Sequence, residues 1–349
     1  MISGDNKGLA SYLVERHFNE NDTLPGKGRF VAAFASTNLG DVSPNTRGPK
    51  CRDSGLPCDV LTSTCSGKGD ICVASGPGKD MFESTEMIAR KQVDASVQLF
   101  RSNSSSKLHG IVDFRHSFLD MSNIKVELED GTKVTTCPAA LGYSFAAGTT
   151  DGIGDFDFRQ GTNTSNPFWN LISSFLSKPS KEQIACQAPK PILLNTGKVR
   201  MPYDWDPNSV PISIFRVGRL FILNVPGEFT TMSGRRLRRA VESILVKEGG
   251  IKDPIVTIAG LANTYTHYIA TREEYDAQRY EAASTLYGPH TLEAYIQEFE
   301  RITRDLLWGA PSATQAAPRD LSRHQISLLP PVEFDTIGIG RKVRLPRGS

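Results

Sequence analysis

The sequence predicts an α/β protein in which mixed β-sheets are flanked by helices and polar loops gather at the C-terminal ends of strands. Three observations predict it. Short apolar runs bounded by Gly and Pro, such as Leu220–Val225 and Ile255–Ala259, read as buried strands that give way to polar loops and then to helical stripes. With 349 residues, 39% hydrophobic and 22% charged, the composition is globular and affords a sizeable core. Finally, loops carrying Ser43, Glu228 and His267–Tyr268 follow apolar runs, the place where α/β sheets collect ligands.

In chain order, a helix is predicted around Lys7–Phe18 and a buried strand at Phe30–Ala35. The loop after that strand, Asp41-Val-Ser43-Pro44-Asn45, is either ordinary turn composition or a reaction centre. Met81–Phe100 reads as a helix with apolar positions Met81, Met87, Ile88 and Val97. Ile124–Leu128 alternates like a strand, Gly148–Asn166 is loop-rich, and Phe168–Leu176 reads as a helix. Ile212–Val217 and Leu220–Val225 form a hairpin around Gly218-Arg219. The helix that follows shows Leu237, Val241, Ile244 and Leu245 on one face and stops at Gly249-Gly250. Thr271 and Glu274 make a capping box for a helix containing Tyr275, Arg279 and Tyr280. A last helix starts at Thr291, with Leu292, Tyr295, Phe299, Ile302 and Leu306 as a core stripe.

Several function classes find no support at this level. A formal net charge of +2 argues for neither nucleic acid nor strong attraction to an anionic surface. No apolar run approaches the about 18 residues of a spanning helix. Nucleophile-elbow, metalloprotease-helix, phosphate-loop and dinucleotide signatures do not occur. Glu228, at a strand-to-helix junction, could be a metal ligand, a base or a charge placed near a helix N-terminus. His267 reads first as a hydrogen-bonding residue, and Arg235, Arg236, Arg238 and Arg239 as a solvated face.

The chain begins Met1-Ile-Ser-Gly-Asp-Asn-Lys7, without the segments of a secretory signal, and the cysteines contradict the cytoplasmic reading of that start. Cys51, Cys58, Cys65 and Cys72 recur every seven residues in a Gly/Pro/Ser/Asp-rich stretch, which fits a disulfide-stapled loop at 51–72 better than a zinc knuckle. Cys137 and Cys186 stand apart. With sequons at Asn21, Asn103 and Asn163, they point to an oxidising compartment, a secreted protein and a natural start upstream of Met1.

Five strings carry a resemblance: Asn38-Leu-Gly-Asp-Val-Ser-Pro-Asn45, Gly76-Pro-Gly-Lys-Asp-Met-Phe82, Leu141-Gly-Tyr-Ser-Phe-Ala-Ala-Gly148, Pro226-Gly-Glu-Phe-Thr-Thr-Met-Ser-Gly-Arg-Arg236, and Tyr265-Thr-His-Tyr268 through Gln278-Arg-Tyr280 to His290. From about residue 1 to about 310, the chain resembles the neutral/alkaline ceramidases. The resemblance implies zinc-dependent hydrolysis of the amide of ceramide and related N-acylsphingoid lipids at a membrane surface, giving sphingosine and a fatty acid. It implies Ser43 as catalytic serine, Glu228 and Tyr268 as zinc ligands, and Tyr280 as a stabiliser of the tetrahedral intermediate. It also implies the disulfides Cys51–Cys65, Cys58–Cys72 and Cys137–Cys186. Attack by Ser43 and attack by a zinc-bound water remain equally consistent.

In the family two histidines complete the zinc site, in a region upstream of the serine motif, and none of His17, His109, His116, His267, His290 or His324 corresponds to them. An immunoglobulin-like C-terminal domain is likewise unmatched, since 311–349 is a Pro/Arg-rich linker or tail. The expectation is therefore a partial catalytic domain over 1–310, inactive alone. Its rivals are a disulfide-stapled binding module and a zinc-independent serine hydrolase.

Overall fold

In the computed structural model, the described residues are 3–323 apart from 21, 103–105, 155 and 322. The sequon residues Asn21 and Asn103, and the tail beyond 323, lie outside them. The chain divides into two compact units, Met1–Ala317 and Pro318–Ser349, and every element named below belongs to the first.

α1 (Asp5–Phe18) packs on α2 (Met81–Arg101), with a ribbon of β1 (Pro49–Cys51) and β2 (Cys72–Ala74) between them in sequence. The middle of the chain supplies β3 (Val112–Asp120), β4 (Lys125–Glu127), β5 (Lys133–Thr135) and β6 (Leu141–Gly142), then α3 (Tyr143–Ala146), α4 (Pro167–Ser177), α5 (Lys181–Gln187) and β7 (Ile192–Leu194). The last part runs β8 (Ser209–Val217), β9 (Leu220–Asn224), β10 (Glu228–Phe229), α6 (Thr231–Lys247), β11 (Ile255–Ala259), β12 (Tyr268–Ile269), α7 (Arg272–Ala277), α8 (Tyr280–Ala283) and α9 (Thr291–Trp308).

The principal sheet has the order β11-β9-β8-β3, parallel between β11 and β9 and antiparallel elsewhere. This mixture follows from the connections. Gly218, at φ +61, closes the tight β8–β9 turn, whereas β9 reaches β11 only through α6, a crossover that makes the pair parallel. The core lies between this sheet and α6 and α9. Ile212, Ile214, Phe221 and Leu223 meet Leu237, Val241, Tyr295, Phe299 and Ile302, all fully buried. Both helical stripes are thus core, as their period requires.

The six cysteines form Cys51–Cys65, Cys58–Cys72 and Cys137–Cys186. Residues Ala310–Ala316 run back along the sheet, where Gln315 N–H donates to the Phe118 carbonyl at 2.9 Å.

Two expectations are corrected. Phe30–Ala35 is neither a sheet strand nor buried: it joins no ladder, and Val31, Ala33 and Ala35 are exposed. Side chains of α1 and its C-cap satisfy this backbone instead of a partner strand: the cap residue Asn19 brackets the Phe30 backbone, and Glu15 accepts the Ala32 amide at 3.0 Å. Ser43 therefore does not follow a sheet strand. The helix begun by the Thr271–Glu274 capping box ends at Gln278, in the left-handed region at φ +48, and Tyr280 opens the separate helix α8. The helix expected at Met81–Phe100 is α2, on which Met81 and Met87 are exposed and Ala89 is the one buried residue.

Candidate active site

The site is built around a two-residue parallel pairing in which Glu228 lies opposite Tyr268 and Phe229 opposite Ile269. Backbone contacts enforce this register. Glu228 N–H donates to the His267 carbonyl at 2.8 Å, and Thr230 N–H donates to the Ile269 carbonyl at 3.1 Å. Gly227 is required here, because a Cβ would stand 2.7 Å from the His267 carbonyl oxygen.

Tyr265 and Tyr268 are three residues apart, so simple alternation would place them on opposite faces. His267 adopts φ +56 and breaks the alternation. As a result the Tyr265 hydroxyl donates to Glu228 Oε1 at 2.7 Å, while Tyr268 sits beside Glu228 across the pairing. Tyr280 completes the cluster, its ring edge-on to Tyr268 at 5.3 Å and stacked on Phe145 at 6.0 Å.

The electrostatics follow from burial around one carboxylate. Partial burial and the Glu228 charge push the hydroxyls of Tyr265, Tyr268 and Tyr280 above the ordinary phenol range, so all three keep their protons at neutral pH. His267 is lowered by burial, against the opposing pull of Asp206, whose Oδ1 lies 3.9 Å from Nε2. Lys190 is fully buried behind this wall, donating to the carbonyls of Ala140 (2.8 Å) and Thr285 (2.6 Å), and burial lowers its pKa well below that of a free lysine.

The Ser43 loop is docked onto the same strand. Gly40 N–H donates to the Phe229 carbonyl at 2.9 Å, and a Cβ on Gly40 would meet the Glu228 carbonyl at 2.7 Å. Asp41 Oδ1 accepts from Thr231 N–H (2.7 Å) and Oγ1 (2.8 Å) at the start of α6. Asp41, rather than Glu228, is thus the carboxylate bonded to that helix N-terminus. Ser43 Oγ accepts from Asn45 N–H at 3.1 Å, and among the described residues no histidine or carboxylate hydrogen-bonds it.

The disulfide loop reaches the site through Arg279, which donates to the carbonyls of Val60 and Leu61 and to Ser63 Oγ immediately before Tyr280. Within the arginine cluster, Arg235 and Arg239 are exposed. Arg236 instead grips Glu273 with two 2.8 Å bonds, and Arg238 donates to Asn38 at 3.0 Å.

Sequence reasoning passed over Tyr265, Phe145, Asp206 and Lys190 as site residues. Tyr265 and Phe145 lie inside the strings singled out by resemblance; Asp206 and Lys190 carried no local signal. As a metal centre the cluster offers two oxygen donors, Glu228 and Tyr268. Among the described residues the one group of three or more close Cys, His, Asp or Glu ligand atoms is Cys51, Cys58 and Cys65, all disulfide-bonded. A catalytic zinc takes three protein ligands, so the described donors do not complete one.

Fold and site together define a mixed α/β protein with a carboxylate ringed by protonated phenols and a serine loop docked beside it. The sequence matches the family described as neutral/alkaline non-lysosomal ceramidase, N-terminal, over residues 1–297, and the chain belongs to that family. It is 52% identical to neutral ceramidase A of Dictyostelium discoideum over 96% of this chain and 47% of that protein. It is 47% identical to the Drosophila melanogaster neutral ceramidase over 96% of this chain and 49% of the relative. A solved structure of a ceramidase complexed with C2 superposes with a TM-score of 0.73 at 37% identity, covering 98% of this chain and 48% of the other. The neutral ceramidase of Pseudomonas aeruginosa gives a TM-score of 0.67 at 35% identity, covering 93% and 44%. The chain spans about half the length of the curated relatives it matches.

Proposed function

We propose that this chain carries the Ser43, Glu228, Tyr268 and Tyr280 part of a site that hydrolyses the amide of ceramide, releasing sphingosine and a fatty acid. The observation that carries the reading is the register of Glu228 against Tyr268, with Tyr280 beside them and the Ser43 loop bonded to the same strand.

Amide hydrolysis needs an oxyanion stabilised, a nucleophile delivered and the leaving amine protonated. Tyr280 keeps its proton and can donate to the developing oxyanion. Glu228 is the one carboxylate bonded within the phenol cluster, and it suits a role holding charge or a proton. Ser43, without a bonded base, is suited to orient the substrate in its present rotamer. Zinc is proposed as the family's cofactor, with Glu228 and Tyr268 as two of its ligands and the rest supplied from outside the described residues; when bound, it polarises a carbonyl or acidifies water. A secreted location is proposed on the strength of the three disulfides.

The test is turnover of a fluorescent ceramide in detergent micelles by a full-length family member in which these residues replace the matching stretch. Glu228→Gln, Tyr268→Phe and Ser43→Ala should each lower turnover at least a hundredfold, and chelation should abolish it. Full turnover in Glu228→Gln would overturn the assignment.

A further inference from the structure

We infer that α4 is the element by which this protein docks on a lipid surface bearing anionic headgroups. The helix is uncharged and presents an ordered apolar face. From Ser165 to Ser177 no residue is charged, and Phe168, Leu171, Ile172 and Phe175 recur at i, i+3, i+4 and i+7. Such a stripe ordinarily faces a core. Here it faces solvent: Phe175 is 82% exposed, Phe168 62% and Leu171 60%, while the one buried residue of the helix is Ser173. A groove of about 360 Å³ lies between its inner face and the α5–β7 segment.

The surroundings match a membrane interface in chemistry as well as polarity. At the N-terminal end Trp169 packs against Phe156 and Phe158, each at 4.9 Å, giving the amphipathic aromatic cluster that favours the headgroup level. Arg159, Lys178, Lys181, Lys198 and Arg200 are exposed along residues 157–204, against the exposed acids Asp157, Glu182 and Asp204, and the bases Lys178 and Lys181 follow the helix directly. An apolar helical face flanked by bases is the pattern of a helix lying in the interface plane and drawn to anionic lipid.

The helix is held rigidly and connects to the site. Asn166 caps it by accepting from Phe168 N–H at 2.9 Å. The buried Tyr143 hydroxyl accepts from Asn166 N–H at 3.1 Å and donates to Asn170 Oδ1 at 2.7 Å. Two residues on, Phe145 of the same short helix stacks on Tyr280. α4 is therefore linked to the proposed reaction centre through Tyr143 and Phe145 of α3. The inference rests on the ceramidase reading for its purpose, since a two-chain lipid is presented by a membrane, but its test does not.

That test is co-sedimentation of the full chain with vesicles of phosphatidylcholine and with vesicles containing one-fifth phosphatidylserine. The chain should pellet with the anionic vesicles. Phe168→Ser/Phe175→Ser should lower its partition at least tenfold, and Lys178→Gln/Lys181→Gln should flatten the salt dependence. As a check independent of how the variants fold, Trp169 fluorescence in a Trp205→Phe/Trp308→Phe background should be quenched by brominated acyl chains. Failure of the unmutated chain to pellet, equal binding by the double-serine variant, or dimerisation through α4 would each overturn the inference. Vesicle binding by the chain with no turnover by the full-length chimera would sink the ceramidase reading alone, and turnover by the chimera in micelles with no vesicle binding by the chain would sink this one alone.

Discussion

Replacing both cysteines of the Cys137–Cys186 pair by serine removes a crosslink that closes a 49-residue separation. Loop closure of that length restricts the unfolded chain by about 14 cal/mol/K, or about 4 kcal/mol at 25 °C. For the 317-residue unit, an unfolding entropy of about 2.1 cal/mol/K per residue gives about 0.67 kcal/mol/K, so the midpoint should fall by about 6 °C. The loss should also reach the site. Cys137 N–H donates to the Tyr287 carbonyl, and Gln187, next to Cys186, donates to the carbonyls of Pro138 and Leu286. These bonds hold the segment whose Thr285 carbonyl receives Lys190. Differential scanning calorimetry under oxidising conditions is the assay, with tryptic nicking of 180–200 as the local readout. A shift below about 2 °C, or nicking unchanged, would mean that residual structure in the unfolded chain already supplies the constraint.

Asp41→Ala should cost about 1 kcal/mol in urea unfolding, because two donors of Thr231 lose their acceptor, and should lower turnover in the full-length chimera through the loosened Ser43 loop. Arg236 holds Glu273 down to about 2, a depressed carboxylate, so its contribution is present above about 4.3 and is lost as pH falls toward about 2. At 67% exposure, Glu273 is screened and the pair is worth at most about 1 kcal/mol; acid titration of stability in Arg236→Ala should show that fraction of the slope gone. Lys190 is lowered by burial, so between its folded value and about 10.4 the unfolded chain binds more protons and stability rises with pH. Lys190→Met should erase that slope while costing roughly 1–3 kcal/mol for two carbonyls left without a donor, measured by unfolding at stepped pH.

Elements with a strong period were legible in the sequence. The α6 and α9 stripes and the β8–β9 hairpin needed only side-chain spacing and one turn glycine. Features set by distant partners were not. The apolar pattern of Phe30–Ala35 shows an extended chain but not what satisfies its backbone, which turned out to be Glu15 on a helix and Asn19 at its C-cap. A capping box announces where α7 starts, yet its end depends on Gln278 entering the left-handed region with a 2.6 Å bond from its own side chain to the Tyr275 carbonyl. His267 is the same case at the site, since a non-glycine φ above zero has no local signature and decides which tyrosines face Glu228.

That turn at His267 also apportions the chemistry. It brings Tyr265 onto a carboxylate that the strand pairing has already set against Tyr268, and α8 adds Tyr280. Each phenol is raised by burial first and by Glu228 second, through the hydrogen bond for Tyr265 and through the charge for Tyr268 and Tyr280, so the cluster holds three protons around one anion. Protonated phenols donate hydrogen bonds to an oxyanion, but they cannot take a proton from a nucleophile near neutral pH. Under the proposed reading, Glu228 is the one carboxylate the cluster offers to a metal ion, and the oxyanion-stabilising role falls on the phenol with the most freedom to face substrate. Tyr265 is committed to Glu228 and Tyr268 lies in the strand pairing, which leaves Tyr280, mounted on its own short helix and backed by Phe145, as the donor in the proposed mechanism.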